Sequence, residues 1–292
     1  MLEGENTLIA GFRLRQRAGT DGAGGFGLGC LYDAVSASGQ HVSLKLASPQ
    51  ALPAVRIKER NQHPNLVQLI GHWIVNEQGE IVRHPEESLA GTAPTQANTL
   101  VIATDLHIGV PLRVRHPPVQ GSLQIPTPEL LHYLEDIAAA ADFLSAPKFI
   151  EGMGVVTLCC DMTPSSILLT PQGARLDDLH SSLTSNLATL DEMRSCSAYS
   201  APESIEGQPG SSSSQYSLAL TYCHLRTGTP PFPGTALIDI IRARLRNELS
   251  LAGLRAEESR VITKALFRNP AERYRSCAEM VRALWGAWRA EA

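Results

Sequence analysis

Long apolar runs are missing from this chain. No stretch of its 292 residues approaches the roughly 18–20 consecutive apolar residues of a membrane span, so a direct span is not expected. A basic leader is missing as well: Met1 to Ala10 carries Glu3 and Glu5 and no lysine or arginine, unlike a secretory signal. Paired cysteine spacing is absent. None of the six cysteines forms a CxxC, and the adjacent Cys159-Cys160 is poor geometry for a metal pair or a disulfide. Reduced thiols in a cytoplasmic protein follow. An excess of basic charge is lacking too: the formal net charge is −4, and the basic residues are scattered without an aromatic-basic stripe. The expectation is a soluble, cytoplasmic protein with no nucleic-acid partner, whose membrane contact, if any, comes through a partner. No internal repeat is present.

What is there begins with 43% hydrophobic residues, enough to bury a core in one large domain or two closely joined lobes. The first hundred residues read mainly as strands. Phe12 to Arg15 alternates apolar and polar, and a glycine-dense turn covers Gly22 to Gly29. Leu31 to Ser36, a Ser38-Gly39 turn and His41 to Leu46 follow. Leu66 to Val75 and Thr99 to Leu106 read as two further strands. Between them, Asn76 to Asn98, rich in Glu, Gly, Pro and Thr, reads as an exposed loop insertion.

The remainder reads mainly as helices. Thr127-Pro128-Glu129 has the chemistry of a helix start, with Thr127 as the cap. Leu130, Leu131, Leu134, Ala138, Ala141 and Leu144 then keep helical spacing. Gln215 to Leu225, Leu237 to Leu245, Glu257 to Leu266 and Ser276 to Trp288 are four more helices. The serine run Ser211 to Ser214 reads as a flexible linker or helix cap. Strands first and helices afterwards point to an α+β chain: a small sheet lobe over about 8–106 and a larger helical lobe over about 107–290, in a single domain spanning 1–292.

Phosphate chemistry needs close backbone approach to a polyanion, a cation on the phosphates and carboxylates for magnesium. Gly22-Ala23-Gly24-Gly25-Phe26-Gly27 fits G-x-G-x-x-G, and glycine lets backbone N–H groups approach phosphate oxygens. Taken alone the signal is weak, and an ordinary glycine-rich hairpin explains it better. A strand rather than a helix follows, which disfavours a dinucleotide-binding reading. Lys45 lies on the second strand after the glycines. A strand lysine is usually just solvated, but its distance from the glycine turn favours a role. Asp161 and Asp178, about 17 residues apart, flank a short hairpin and could serve as base and metal ligand. Two turn-forming aspartates are the alternative.

The order and spacing of these segments resemble a eukaryotic-type protein kinase of the kind also common in bacteria, over nearly the whole chain, Gly11 to Trp288. Ser200-Ala201-Pro202-Glu203 resembles the end of the activation segment. Gln215 to Ala219 with Leu225 to Gly234 resembles the central helix of the large lobe and its following loop. Asn269 to Tyr274 resembles the late arginine motif, and His63-Pro64-Asn65-Leu66-Val67 the turn into the fourth strand. The resemblance implies a bilobal kinase-like fold, with a small antiparallel-sheet N-lobe and a mainly helical C-lobe. It also implies that Arg273 pairs with Glu203, as suits a planar guanidinium.

By the same resemblance, Gly22, Gly24 and Gly27 would cover the phosphates of ATP and Lys45 would contact them. Thr104 would be the gatekeeper, with Asp105 to His107 as the hinge. Asp161 would be the catalytic base; Asp178 and Ser166 would hold Mg²⁺. Departures from the family pattern are many. Thr163 stands where a lysine is usual, Ser166 for asparagine, and Cys159 and Cys160 for histidine and arginine. His180 replaces a glycine after the metal aspartate, Cys196 a threonine, Ser214 a structural aspartate and Gly29 a valine. No glutamate lies where it should pair with Lys45; Glu59 falls too close to the following turn. Losing one preorganised transition-state donor costs about 2.7–4 kcal/mol. The resemblance therefore implies an ATP-binding pseudokinase or impaired Ser/Thr kinase acting in signalling on a protein partner. The alternative is an active kinase that transfers the γ-phosphate to protein hydroxyls. A small-molecule kinase is disfavoured by the Ala-Pro-Glu and late arginine segments.

Overall fold

The computed structural model describes residues 7–20, 30–49, 52–83, 98–105, 109–116, 125–150, 154–177, 182–183, 198–232, 237–246 and 248–290. The glycine turn with Gly22, Gly24 and Gly27, together with His107, Asp178, His180 and Cys196, lies outside them. The chain divides into two compact units, residues 1–62 with 67–108, and 63–66 with 109–292.

The first unit is an antiparallel sheet. Its strands are β1 (Leu8–Ile9), β2 (Phe12–Thr20), β3 (Cys30–Ser36), β4 (His41–Ala47), β5 (Leu69–Val75), β6 (Ile81–Arg83) and β7 (Thr99–Thr104), in the order β1-β2-β3-β4-β7-β5-β6. Alternation along each strand gives the sheet two faces. Tyr32, Leu44 and Ala103 lie opposite one another across β3, β4 and β7 and enter the core with Ile9, Phe12, Leu14 and Val101. The sheet curls far enough for Ala10 N to donate to Gly79 O at 3.0 Å and for the rings of Phe12 and Trp73 to lie 5.3 Å apart. The expected loop over 76–98 needs correction at its start, and its residues 84–97 lie outside the described ones: Asn76 folds a tight turn, its Oδ1 accepting from Gln78 N and Glu80 N, and β6 returns along β5. The strand expected from Leu66 begins at Leu69. Helix α1 (Leu52–Arg60) lies against β5.

The second unit is mainly helical. Its helices are α2 (Leu112–Arg115), α3 (Thr127–Ser145), α4 (Pro202–Ile205), α5 (Ser213–Thr227), α6 (Leu237–Leu245), α7 (Ala256–Ala265) and α8 (Cys277–Ala290). Leu130, Leu131, Leu134, Ile137, Ala138, Ala141 and Leu144 of α3 are all buried, as their spacing requires. The helix start differs in detail: Pro126 is the cap and Thr127 the first helical residue, with no side-chain cap bond. α5 ends at Gly228, whose φ of 71° is the left-handed cap glycine supplies without strain. Inside α5 and α7, Arg226 Nη2 and Glu258 Oε1 lie 3.2 Å apart, both buried, and Tyr222 donates to the same oxygen.

Short strands complete this unit. β8 (Val110–Pro111) joins the hairpin β12 (Ile167–Thr170) and β13 (Gly173–Leu176), β9 (Lys148–Ile150) pairs with β10 (Gly154–Val156), and β11 (Leu158–Cys159) pairs with β14 (Ser182–Leu183). Asp136 of α3 pins the β12–β13 hairpin by accepting from Ala174 N at 2.8 Å. Gly173 adopts φ +126°, and a Cβ there would come 2.6 Å from Asp136 Oδ2. Gly173→Ala is expected to lower the free energy of unfolding by about 1–3 kcal/mol, read from the urea midpoint.

Candidate functional site

Lys45 is fully buried, at 0% exposure. That rules out the solvated strand lysine, since a buried ammonium is costly without compensation. It stands opposite Ile102, which stands opposite His72, so all three side chains share the face turned away from the core cluster. Both ring nitrogens of His72 are buried without a hydrogen-bond partner among the described residues. Burial lowers its pKa, against an opposing pull from Glu59 and with a smaller push from Arg56. Glu59, the acid on α1, is exposed. Thr104, at the end of β7, is buried and its hydroxyl has no hydrogen-bond partner among the described residues. Asp105 is anchored by reciprocal bonds with Gln68: Gln68 N donates to Asp105 Oδ1 at 2.7 Å, and Asp105 N to Gln68 O at 3.1 Å.

In the second unit, the loop bearing Asp161 is seated on α5 by hydroxyls. Ser214, Ser217 and Thr221 follow at spacings of three and four, so they form one stripe of the helix. Cys160 N donates to Ser214 Oγ at 3.0 Å and Met162 N to Ser217 Oγ at 2.6 Å. Ser217 Oγ and Thr221 Oγ1 both donate to Met162 O, at 3.0 and 2.7 Å. Ser214 thus receives a loop N–H as a neutral hydroxyl where the resemblance implies a carboxylate. The serine run is correspondingly not a linker: Ser213 Oγ accepts from Gly210 N and donates to Glu203 Oε1 at 2.8 Å, and both Ser213 and Ser214 are buried. Cys159 Sγ donates to Gly210 O at 2.8 Å, and burial pushes its thiol pKa up, so it is no thiolate nucleophile.

Beyond Asp161 the loop closes on itself. Thr163 N donates to Ser166 Oγ at 2.9 Å, and Ser166 N donates to Thr163 Oγ1 at 3.1 Å. Ser166 Oγ donates in turn to Thr163 O at 3.1 Å. This reciprocal capping is a use to which short hydroxyl side chains are suited. It also spends them. Ser166 Oγ donates its proton and already accepts from Thr163 N and, at 3.4 Å, from Thr163 Oγ1, leaving no free lone pair for a metal. Among the described residues no group of three or more His, Cys, Asp or Glu could hold a metal ion.

Asp161 itself meets a partner that the sequence does not single out: the Ser200 hydroxyl donates to Asp161 Oδ2. Three residues on, Glu203 receives Arg273 in two parallel bonds, Nη1 to Oε1 at 2.7 Å and Nη2 to Oε2 at 2.8 Å. Arg273 also donates to Phe267 O and Ser212 O, and its guanidinium lies 4.8 Å from the Tyr216 ring centroid. This is the pair expected from the Ala-Pro-Glu and late arginine motifs.

Comparison with solved structures decides the architecture. The kinase domain of Mycobacterium tuberculosis PknI superposes with a TM-score of 0.63 over 98% of this chain and 99% of that one, at 21% identity. The fold is that of a protein kinase. Curated sequence relatives agree: the serine/threonine-protein kinase PknF of Mycobacterium tuberculosis is 29% identical over 170 residues, covering 55% of this chain and 35% of that protein. The serine/threonine-protein kinase PknB of the same species is 27% identical over 160 residues, covering 49% and 25%. This chain is thus similar in sequence to bacterial serine/threonine-protein kinases, and it spans about a third or less of the length of these two. No protein-family model matches it. No helix among the described residues is long and apolar enough to cross a membrane. In this kinase fold, Lys45, Thr104 and Asp105 belong to the first unit and Asp161 and Ser166 to the second.

Proposed function

We propose that this kinase-fold chain binds nucleotide but transfers phosphoryl groups poorly, and that it signals through a protein partner. The observation that carries the reading is the self-closed loop at 163–166. Thr163 offers no cation for the transferring phosphoryl group, and its hydroxyl and that of Ser166 are committed to each other's backbone. Phosphoryl transfer depends almost entirely on positioning and charge stabilisation, so such losses fall on the rate directly. The retained parts support nucleotide binding: Lys45 is buried on its strand, and the glycine turn precedes it by the expected interval. Bound ATP would bring the γ-phosphoryl group and Mg²⁺ its charge neutralisation, with Asp178 as the principal ligand and Ser166 a poor one.

A second reading, an active Ser/Thr kinase, is favoured by one observation: Asp161 sits on an ordered, well-seated loop. There Asp161 would accept the proton of a protein hydroxyl as that oxygen bonds to the γ-phosphorus and the bond to ADP breaks. The deciding experiment is transfer of labelled phosphate from ATP, with Mg²⁺ or Mn²⁺, to a generic basic protein and to the chain itself, beside Asp161→Asn. Nucleotide binding is measured in parallel by thermal shift. Binding with no transfer is expected. Transfer that Asp161→Asn abolishes would establish the active kinase instead.

A further inference from the structure

We propose that Ser200 is the positioning residue of Asp161, a role that rests on the reading of Asp161 as the functional carboxylate of its loop. The two residues are 39 apart in the chain, yet the Ser200 hydroxyl donates to Asp161 Oδ2. Ser200 is 1% exposed, so water does not compete for the contact. The segment that delivers the hydroxyl is gripped from below. Arg244 of α6 donates Nη1 to Ser200 O and Nη2 to Ala198 O, on either side of Tyr199. Arg244 is buried in its turn, its guanidinium 5.4 Å from the ring centroid of Phe232. Tyr199 is tied separately to α5, its hydroxyl 2.5 Å from His224 Nδ1.

The backbone around Ser200 is therefore held at two carbonyls and the neighbouring Tyr199 side chain at a third point, and the place of the Ser200 hydroxyl is then set by one torsion. A donor on a carboxylate oxygen does two things. It favours the ionised form, and it fixes which way the group faces. Ser200 thereby sets the direction in which the Asp161 carboxylate faces, whether that group accepts a proton from a substrate hydroxyl or a hydrogen bond from a docked partner.

The test is a carbon-13 NMR titration of the full chain labelled at aspartate carboxyl carbons, the Asp161 signal being identified by its loss in Asp161→Asn. In Ser200→Ala the Asp161 midpoint is expected to rise by about one pH unit. Ser200→Thr, which keeps the hydroxyl, is expected to restore it. Ser200→Cys, close in volume but a much weaker donor, reads the same rise if alanine at so buried a site prevents folding. Thermal unfolding is recorded for each variant. A midpoint that stays put in Ser200→Ala and Ser200→Cys, or that moves as far in Ser200→Thr, overturns the proposal whatever the loss of stability, because the contact is then packing alone. The measurement needs no phosphoryl transfer, so it stands or falls separately from the function proposed above.

Discussion

Replacing Arg273 with alanine is expected to lower the free energy of unfolding by about 3–5 kcal/mol, the cost of leaving a buried charge without its partner. The Arg273 side chain is 0% exposed and that of Glu203 12%, so solvent cannot take over from the lost guanidinium. The effect should spread beyond the pair. Arg273 also ties the carbonyls of Phe267, Ser212 and Arg268, and Ser213 shares Glu203 Oε1. Arg273→Lys should recover little, because an ammonium cannot make the two parallel bonds. Chemical denaturation with the slope held constant checks this. A loss below about 1 kcal/mol, the range of exposed pairs, would mean that Glu203 rehydrates and that the pair does not brace α4 against the helical core.

Putting lysine at 163 and asparagine at 166 is expected to raise phosphoryl transfer by about a hundredfold or more, since one preorganised transition-state donor is worth about 10²–10³ in rate. The double variant Thr163→Lys/Ser166→Asn supplies both the missing cation and a longer metal ligand. It also removes the reciprocal capping of the loop, so unfolding must be followed alongside: the hydrogen bonds lost are worth about 1 kcal/mol each. Adding Asp161→Asn should abolish the gain. A folded double variant with no gain would move the defect elsewhere, for example to His180, and the loop would cease to be the limiting feature.

Some of this is legible in the amino-acid sequence alone. The helix Leu237–Leu245 falls where its periodicity places it, and α5 and α8 differ from expectation by about two residues at their ends. The Glu203–Arg273 pair is legible because the resemblance to protein kinases, carried by several motifs together, implies both of its ends. The hairpin β9–β10 is not legible. Its Phe149 and Val155 lie opposite each other yet are 79% and 70% exposed, so no buried face imposes a pattern to detect. Of the two readings of Ser211 to Ser214, the cap holds, with Ser212 capping α5, while the linker misleads, because burial on a neighbouring loop leaves no trace in local composition.

Local chemistry settles the order of strands and helices and the turns between them, because period, cap and turn preferences act within a few residues, while the departures at 163, 166, 180 and 214 follow from the resemblance to protein kinases. Contacts between distant segments settle the rest. A strand lysine reads the same whether its face is wet or covered; only the folded structure shows Lys45 to be buried. A serine carries no mark of its partner, and only folding brings Ser214 to Cys160 across 54 residues and Ser200 to Asp161 across 39. The alternation of a strand or a helix says which side chains share a face, but what covers that face is decided by elements far away in the chain.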